Sequence, residues 1–202
     1  MRSFKKINLA SILMLAILLS ACTQKNIILK IPTDIINKTA EANKSVCTYK
    51  GRISVIYENG NDNLRFKGYL NKDCADNFRL KILGLFNTVA YDVNYKDGQV
   101  EAYKKDEDVS LDMAYFMRSK GLDRMVSLIR YPHVKIDDSF KVKAIADEYI
   151  MTKGVMVVAV GQDYLIRRIN FGSESFKYGY TDGKLTELAF AGDSTKVEIK
   201  LR

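Results

Sequence analysis

Apolar and polar residues alternate with a period of two along most of this chain, and this pattern constrains its fold most strongly. At the C-terminal end, Val197, Ile199 and Leu201 are separated by charged residues. Successive side chains of a β-strand point to opposite faces, so such a segment buries one face and exposes the other. The pattern therefore predicts an antiparallel sheet that is covered on one side.

The alternation begins at Gly51. Residues 51–57 and 64–70 flank the turn signal Asn59-Gly60-Asn61-Asp62 and predict a β-hairpin. Three further strands are expected at residues 78–82, 89–95 and 99–103, before an acidic break at residues 106–108. In the last third, the candidates are residues 134–136, 141–145, 148–152, 155–160, 164–171, 175–181, 184–190 and 196–201.

Helical spacing occurs twice. Pro32 can begin a helix, and Ile35, Ile36, Thr39, Ala40 and Val46 give it a modest apolar stripe. Two short helices are expected from Ser110, as N-cap, to the residue before Pro132, and they meet at Gly121. The predicted class is α+β, mainly antiparallel β: a curled half-barrel of about 11 strands, with helices on the concave face and an apolar cavity between them.

The first 21 residues have the layout of a secretory leader. Basic residues precede Leu9–Leu19, an apolar run of 11 residues, whereas a spanning helix needs roughly 20. The segment Leu19-Ser20-Ala21-Cys22 resembles the lipobox of bacterial lipoproteins, which implies cleavage before Cys22 and its acylation by diacylglycerol and palmitate-type chains. A plain leader with a chance cysteine is the alternative. An Asp after the cysteine would retain such a lipoprotein at the inner membrane, so Thr23 favours the outer membrane.

The chain accordingly divides into a leader at residues 1–21, a lipidated Cys22 with a tether to residue 31, and one domain at residues 32–202. The leader holds three of the 32 basic and none of the 24 acidic residues, so the remaining chain has a net charge of +5. These charges are interspersed, which indicates a solvated surface or a weak attraction to anionic lipid. No basic stripe typical of nucleic-acid binding is present.

Three stretches resemble the LolA/LolB family of lipoprotein carriers and receptors: Gly51-Arg52-Ile53-Ser54-Val55, Phe66-Lys67-Gly68-Tyr69-Leu70, and Phe78-Arg79-Leu80-Lys81-Ile82-Leu83-Gly84-Leu85-Phe86. The likeness covers residues 32–202, and the lipobox places the chain nearest the receptor branch, LolB. It implies a protein that holds lipoprotein acyl chains in a cavity and inserts them into the outer membrane. The implied location is the periplasmic side of the outer membrane, and the implied donor is a soluble LolA-like carrier. No enzyme activity, cofactor or metal is expected.

The resemblance also implies site residues. Leu85, with Phe86 as second choice, matches a protruding loop that directs the family's receptor to the membrane; burial of both residues at strand ends is the alternative. The apolar residues at the right period to line the cavity are Ile53, Val55, Phe66, Leu80, Ile82, Val93, Phe116, Met117, Met125, Tyr178 and Tyr180. For each of them, a position in the ordinary core is the favoured alternative.

Cys47 and Cys74 flank the first hairpin. If its turn centres between Gly60 and Asn61, residues whose numbers sum to 121 face each other, and the two cysteines then meet in a disulfide. A register slip of one residue would leave two thiols instead.

Catalytic chemistry has no support in the sequence. His133 is the only histidine, it has no partner pattern nearby, and no nucleophile elbow, P-loop or H-E-x-x-H motif occurs. A different class of function remains open, namely a structural or envelope-assembly lipoprotein that binds a protein partner and no lipid.

Overall fold

The computed structural model describes residues 31–74, 77–131 and 134–202, without the side chains of residues 123–125. The leader, Cys22 and the tether up to residue 30 lie outside this range, as do Pro132 and His133. None of the described helices is both long and apolar enough to cross a membrane.

One antiparallel sheet and three α-helices make up the described fold. The helices are α1 (Ile35–Ser45), α2 (Ser110–Ser119) and α3 (Asp123–Ile129). The strands are β1 (Tyr49–Asn59), β2 (Asp62–Lys72), β3 (Phe78–Leu83), β4 (Val89–Lys96), β5 (Gln99–Lys104), β6 (Glu107–Asp108), β7 (Lys141–Ile145), β8 (Glu148–Lys153), β9 (Met156–Val160), β10 (Ile166–Phe171), β11 (Glu174–Thr181), β12 (Lys184–Gly192) and β13 (Thr195–Leu201).

The strand order joins two meanders. It runs β6-β5-β4-β3-β2-β1-β13-β12-β11-β10-β9-β8-β7, so β1 and β13 pair with each other in the middle of the sheet. In this pair Ile53 lies opposite Leu201, and Val55 lies opposite Ile199. All strands and helices lie between residues 35 and 201, so a chain of residues 23–202 contains every element of the described fold.

The inner face of the sheet carries the apolar half of the alternation. Ile53, Val55 and Tyr57 of β1 are at most 2% exposed. Helix α2 lies against β5, and α3 lies against β12. The face that bears these three residues is therefore the covered one, a point that the sequence alone left open.

Helix α1 is attached to the sheet through a buried asparagine. Its buried face consists of Ile35, Thr39 and Asn43, which are spaced by four residues. The Asn43 side-chain amide donates to the carbonyls of Thr39 (2.6 Å) and Tyr164 (3.1 Å), and its oxygen accepts from the N–H of Ile166 (3.2 Å). Asn43 thus satisfies backbone groups at the start of β10, where β9 and β10 pair irregularly.

The first hairpin has the register that the turn predicts. Tyr57 faces Leu64, and Tyr49 faces Lys72. Two residues further out, a disulfide joins Cys47 to Cys74, with the Cα atoms 5.0 Å apart. The structure thus contains the bond rather than two thiols, and it ties the end of α1 to the end of β2.

The sheet has 13 strands rather than about 11, and two segments differ from the sequence prediction. Glu107 and Asp108, expected to be a break, form β6 and pair with Lys104 and Tyr103. Conversely, residues 134–136 form no strand, although Val134 and Ile136 pack against the core. Their alternation is satisfied by packing alone, which a period of two cannot distinguish from a hydrogen-bonded strand.

Candidate functional site

An apolar cavity of about 460 Å³ lies between the helices and strands β2–β5. Its lining residues are Leu64, Arg65, Phe66, Phe78, Leu80, Ile82, Tyr91, Val93, Tyr95, Val100, Lys104, Val109, Asp112, Met113, Phe116, Met117, Leu122 and Val126. The volume is about three times that of an engineered cavity of roughly 150 Å³ that stays dry and binds benzene. The site is therefore large enough for an extended apolar ligand.

The floor of the cavity follows from strand alternation and register. Leu80 lies opposite Val93, and Ile82 lies opposite Tyr91, so the inner positions of neighbouring strands form continuous rows. Gly68 occupies the same face of β2, and a Cβ atom there would come within 2.6 Å of the Lys81 carbonyl oxygen. The glycine in the segment Phe66-Lys67-Gly68 therefore reflects a close approach of β2 and β3 that excludes a larger residue.

Helix α2 forms the roof. Met113, Phe116 and Met117 line the cavity, and the flexible methionines can adapt to apolar groups of different shape. Ser110 was expected to be the N-cap, but Val109 takes that position and Ser110 is the first helical residue. The Ser110 hydroxyl instead accepts a hydrogen bond from the N–H of Ala102 (2.9 Å), which fixes the start of α2 on β5.

The cavity has few polar groups. Arg65, Lys104 and Asp112 are the charged members of its wall, and all three are exposed. Asp108, beside the helix start, accepts hydrogen bonds from the hydroxyl and the N–H (2.9 Å) of Ser110, and these bonds hold the pKa of that carboxyl below its usual range. The interior is thus apolar, with charge confined to its exposed margin.

Six of the predicted cavity residues line this space: Phe66, Leu80, Ile82, Val93, Phe116 and Met117. Four others lie outside it, namely Ile53, Val55, Tyr178 and Tyr180. Met125 belongs to α3, but its side chain is outside the described part of the chain. Whether any of these residues contacts lipid remains a prediction.

A buried tyrosine cluster explains why Tyr178 and Tyr180 lie elsewhere. The ring of Tyr131 packs on Tyr178, with centroids 3.9 Å apart, and its hydroxyl shares hydrogen bonds with Tyr180 and Asn43. Burial is the main cause that raises the pKa of all three tyrosines above its ordinary value. Tyr131 and α1 thus fill the inner face of the meander β7–β13. Ile53 and Val55 lie on β1, in the middle of the sheet, and belong to the packed core there.

Sequence reasoning missed nine of the 15 apolar residues of the wall. The cavity also includes Leu64, Phe78, Tyr91, Tyr95, Val100, Val109, Met113, Leu122 and Val126. Leu64, Phe78, Tyr91 and Tyr95 have the same parity as the predicted residues of β2, β3 and β4, so extending those alternations along each strand would have found them. Val100 lies on β5, where no cavity residue was predicted. The helix residues depend on how α2 and α3 sit on the sheet.

A protruding loop connects β3 to β4. Leu85 is 83% exposed and Phe86 is 96% exposed, so neither is a buried strand end. The loop is closed by hydrogen bonds from Gly84 N–H to the Thr88 carbonyl (2.8 Å) and from the Thr88 hydroxyl to the Leu85 carbonyl (2.8 Å). Phe86 has φ 57, a left-handed conformation that is costly for a bulky residue and is kept only where the surroundings enforce it.

Among the described residues, no three His, Cys, Asp or Glu side chains lie close enough together to bind a metal ion. Tyr131, Tyr178 and Tyr180, whose pKa values burial raises, pack in the core and do not line the cavity.

Comparisons with known proteins place this architecture in a known fold. No protein-family model matches the sequence, and no curated protein matches it either. The structure is similar to a LolA superfamily protein from Nitrosomonas europaea, with a TM-score of 0.52 and 9% identity over 86% of this chain and 94% of that chain. A second similarity, to an outer membrane lipoprotein-sorting protein domain from Vibrio parahaemolyticus, has a TM-score of 0.47 and 10% identity over 83% and 88% of the two chains. The first similarity shows the fold, and the chain therefore has the LolA-like fold that its resemblance to the LolA/LolB family predicts.

Proposed function

We propose that this protein is a lipid-anchored receptor that binds the acyl chains of lipoproteins, or of another lipid, and inserts them into the outer membrane. The observation that carries the proposal is the apolar cavity of about 460 Å³ between helix α2 and strands β2–β5. The LolA-like fold supports it.

The energetics of the cavity favour an acyl ligand. Each buried CH₂ group contributes about 0.8 kcal/mol relative to water, so a chain of about ten buried CH₂ groups would gain about 8 kcal/mol before the cost of ordering it. A lining of aliphatic, aromatic and methionine side chains offers this gain without requiring one ligand shape. A bilayer offers the acyl chain a similar apolar environment. Transfer of the acyl chain from the cavity to a membrane therefore has a free-energy change that is favourable or close to zero once the cavity contacts the membrane.

The loop of residues 85–87 is the proposed contact with that membrane. Leu85 and Phe86 are held outward by a closed turn next to the strand ends that carry Ile82 and Tyr91 of the cavity wall. Two exposed apolar side chains are costly in water and favourable in a bilayer interface. Insertion of the loop would bring the cavity close to the lipid surface.

Cys22 is the proposed anchor. Two or three acyl chains on this residue would hold the protein stably at the membrane, since one chain alone gives only marginal binding. The proposed location is the periplasmic side of the outer membrane, with a soluble LolA-like carrier as donor.

The proposal is tested by ligand binding to the chain of residues 23–202. Native mass spectrometry, with and without a triacylated peptide, should detect a stoichiometric complex that survives at low peptide concentration. If the purified protein carries no lipid and also does not bind the peptide, it is not a lipid receptor.

A matched pair of variants localises the ligand. The chain has no tryptophan. Met117→Trp places an indole in the cavity wall, whereas Tyr115→Trp places one on the solvent side of the same helix, where Tyr115 is 77% exposed. Each CH₂ group displaced by the indole weakens binding about fourfold, so displacing two costs about 15-fold. Equal affinities for the two variants would mean that the ligand binds elsewhere.

The loop is tested by delivery rather than by binding. We expect Leu85→Glu to reduce transfer of the bound peptide to vesicles about tenfold or more while leaving its affinity for the protein unchanged, because a carboxylate resists burial in lipid. Val155→Glu is the control, since Val155 is an exposed apolar residue (68%) in a different hairpin turn. Unchanged transfer by Leu85→Glu would remove the loop from the mechanism.

A second function, the binding of a protein partner, is favoured by the outer side of α2. Leu111 (87% exposed) and Tyr115 (77% exposed) lie one turn apart there and form an apolar surface outside the cavity. A structural or envelope-assembly lipoprotein would use this surface and bind no lipid. An empty protein in the mass spectrometric test would favour this function.

A further inference from the structure

The outer face of the sheet carries a concentration of basic residues around the seam of β1 and β13. Arg202 follows the end of β13, and its N–H donates to the Arg52 carbonyl (2.9 Å). Antiparallel register continues this row from Arg52 to Tyr69 and Lys81. The next row outward along β1 contains Lys200, Ser54 and Lys67. The row order brings these cations together although they come from distant parts of the sequence.

Three of these cations have no acidic partner in the described part of the chain. Lys200 pairs with Glu198 (2.9 Å) and Lys81 approaches Asp92 (3.9 Å), so their charges are partly neutralised. Arg52, Lys67 and Arg202, by contrast, form no ion pair with any described carboxylate. Arg52, Lys67 and Arg202 together form the basic patch.

The three residues of the basic patch line one depression of about 220 Å³. Its other lining residues are Ile53, Ser54, Gly68, Leu83 and Asn87, and none of them is acidic. Arg52 is oriented there by Tyr69, whose hydroxyl accepts from Arg52 Nε (2.8 Å). This bond uses one of the five N–H donors of the guanidinium, and its planar fork suits a phosphate group.

The depression adjoins the apolar loop. Asn87, the last residue of the loop segment 85–87, forms part of its wall, and Leu83, which pairs with Lys67, precedes the loop. Leu85 and Phe86 therefore project from the margin of a depression that three cations line. An apolar tip next to a cationic surface matches the two layers of an anionic bilayer, its hydrocarbon and its phosphates.

We propose that the basic patch is a docking site for anionic phospholipid headgroups, and that it holds the loop end of β2 and β3 at an anionic bilayer when the loop inserts. The patch lies on the face opposite the cavity, so the proposal goes beyond ligand binding and holds whatever the cavity contains. Each basic residue near such a surface changes the partition coefficient about fivefold.

Vesicle co-sedimentation of the chain of residues 23–202 tests the patch. We expect tighter binding to phosphatidylcholine vesicles that contain phosphatidylglycerol than to phosphatidylcholine alone. The difference should shrink when ionic strength rises from ~0.1 M to ~1 M, because the screening length falls from about 10 Å to about 3 Å. Equal binding to the two kinds of vesicle would overturn the proposal.

A pair of variants with equal net charge separates the patch from general attraction. Lys67→Gln/Arg202→Gln should weaken binding to phosphatidylglycerol vesicles about 25-fold, from two residues at about fivefold each. Lys141→Gln/Lys143→Gln removes two exposed lysines from β7, at the far edge of the sheet, and should leave binding unchanged within about twofold. All four side chains are exposed, so both variants should keep the unfolding midpoint of the parent.

The outcomes are distinct from those of the proposed function. Equal losses in the two double variants would show that only net charge matters and would overturn the patch. Retained binding by Lys67→Gln/Arg202→Gln would do the same. Affinity for the triacylated peptide, measured in solution, should not change in either variant, so a failure of the lipid-receptor proposal appears in that measurement alone.

Discussion

Two buried polar residues one turn apart on α1 should respond to mutation in opposite directions. Asn43 is 3% exposed and satisfies backbone groups of Tyr164 and Ile166 at the start of β10. Thr39 is 1% exposed, and its hydroxyl has no hydrogen-bond partner in the described structure. The two positions therefore compare a buried polar group that is paired with one that is not.

The magnitude follows from the groups that each substitution leaves behind. Asn43→Ala deprives the Ile166 N–H and the Tyr164 carbonyl of their partner, whereas the Tyr131 hydroxyl keeps Tyr180. An unsatisfied buried group costs about 1–3 kcal/mol, so we expect a loss of about 3 kcal/mol in the free energy of unfolding. Thr39→Val keeps the shape and removes the unpaired hydroxyl, so it should be neutral or stabilising by about 1 kcal/mol.

Urea unfolding of the chain of residues 23–202, followed by far-ultraviolet circular dichroism, measures both values. Equal slopes of free energy against urea for parent and variants are needed, because a changed slope would indicate an altered unfolded state. A loss below about 1 kcal/mol for Asn43→Ala, or a similar loss for Thr39→Val, would refute the reasoning from paired and unpaired groups.

Two further predictions concern covalent and titrating groups. The double variant Cys47→Ser/Cys74→Ser should lower the free energy of unfolding by about 3.5 kcal/mol, because the disulfide spans a sequence separation of 27 residues. Urea unfolding at neutral pH measures this loss, and an unchanged midpoint would contradict the prediction. The free energy of unfolding should also fall as pH rises above about 10. Burial raises the pKa of Tyr131, Tyr178 and Tyr180, so these hydroxyls keep their protons in the folded protein. In the unfolded chain the same hydroxyls release their protons above about pH 10. Each contributes about 1.4 kcal/mol per pH unit, so Tyr178→Phe, which removes a hydroxyl without a partner in the described structure, should reduce the pH dependence without a comparable loss at neutral pH.

The first hairpin shows what a sequence of this kind can specify. Its turn signal and its alternation are both local, and together they fixed the pairing of Tyr57 with Leu64 and hence the meeting of Cys47 and Cys74. The break between α2 and α3 at Gly121 is local too, because its φ of +65 favours glycine.

The location of the cavity could not be obtained in this way. Val55 and Val93 have the same alternation, yet Val93 lines the cavity and Val55 is fully buried beside it. The difference depends on where the helices settle, and that is set by contacts between distant residues. One of these is the hydrogen bond from the Tyr57 hydroxyl to the Lys120 carbonyl, which no periodic pattern reveals.

The seam between β1 and β13 also has a consequence for folding kinetics. Within the described sheet it is the one pairing between strands that are not consecutive in sequence, so every other strand pair can form as a local hairpin. Closing the seam brings Ile53 to Leu201 at a large cost in loop-closure entropy, and such long-range steps are slow. Until it closes, β1 and β13 are free edges with a row of aliphatic side chains, and the two meanders are most vulnerable to aggregation at that stage.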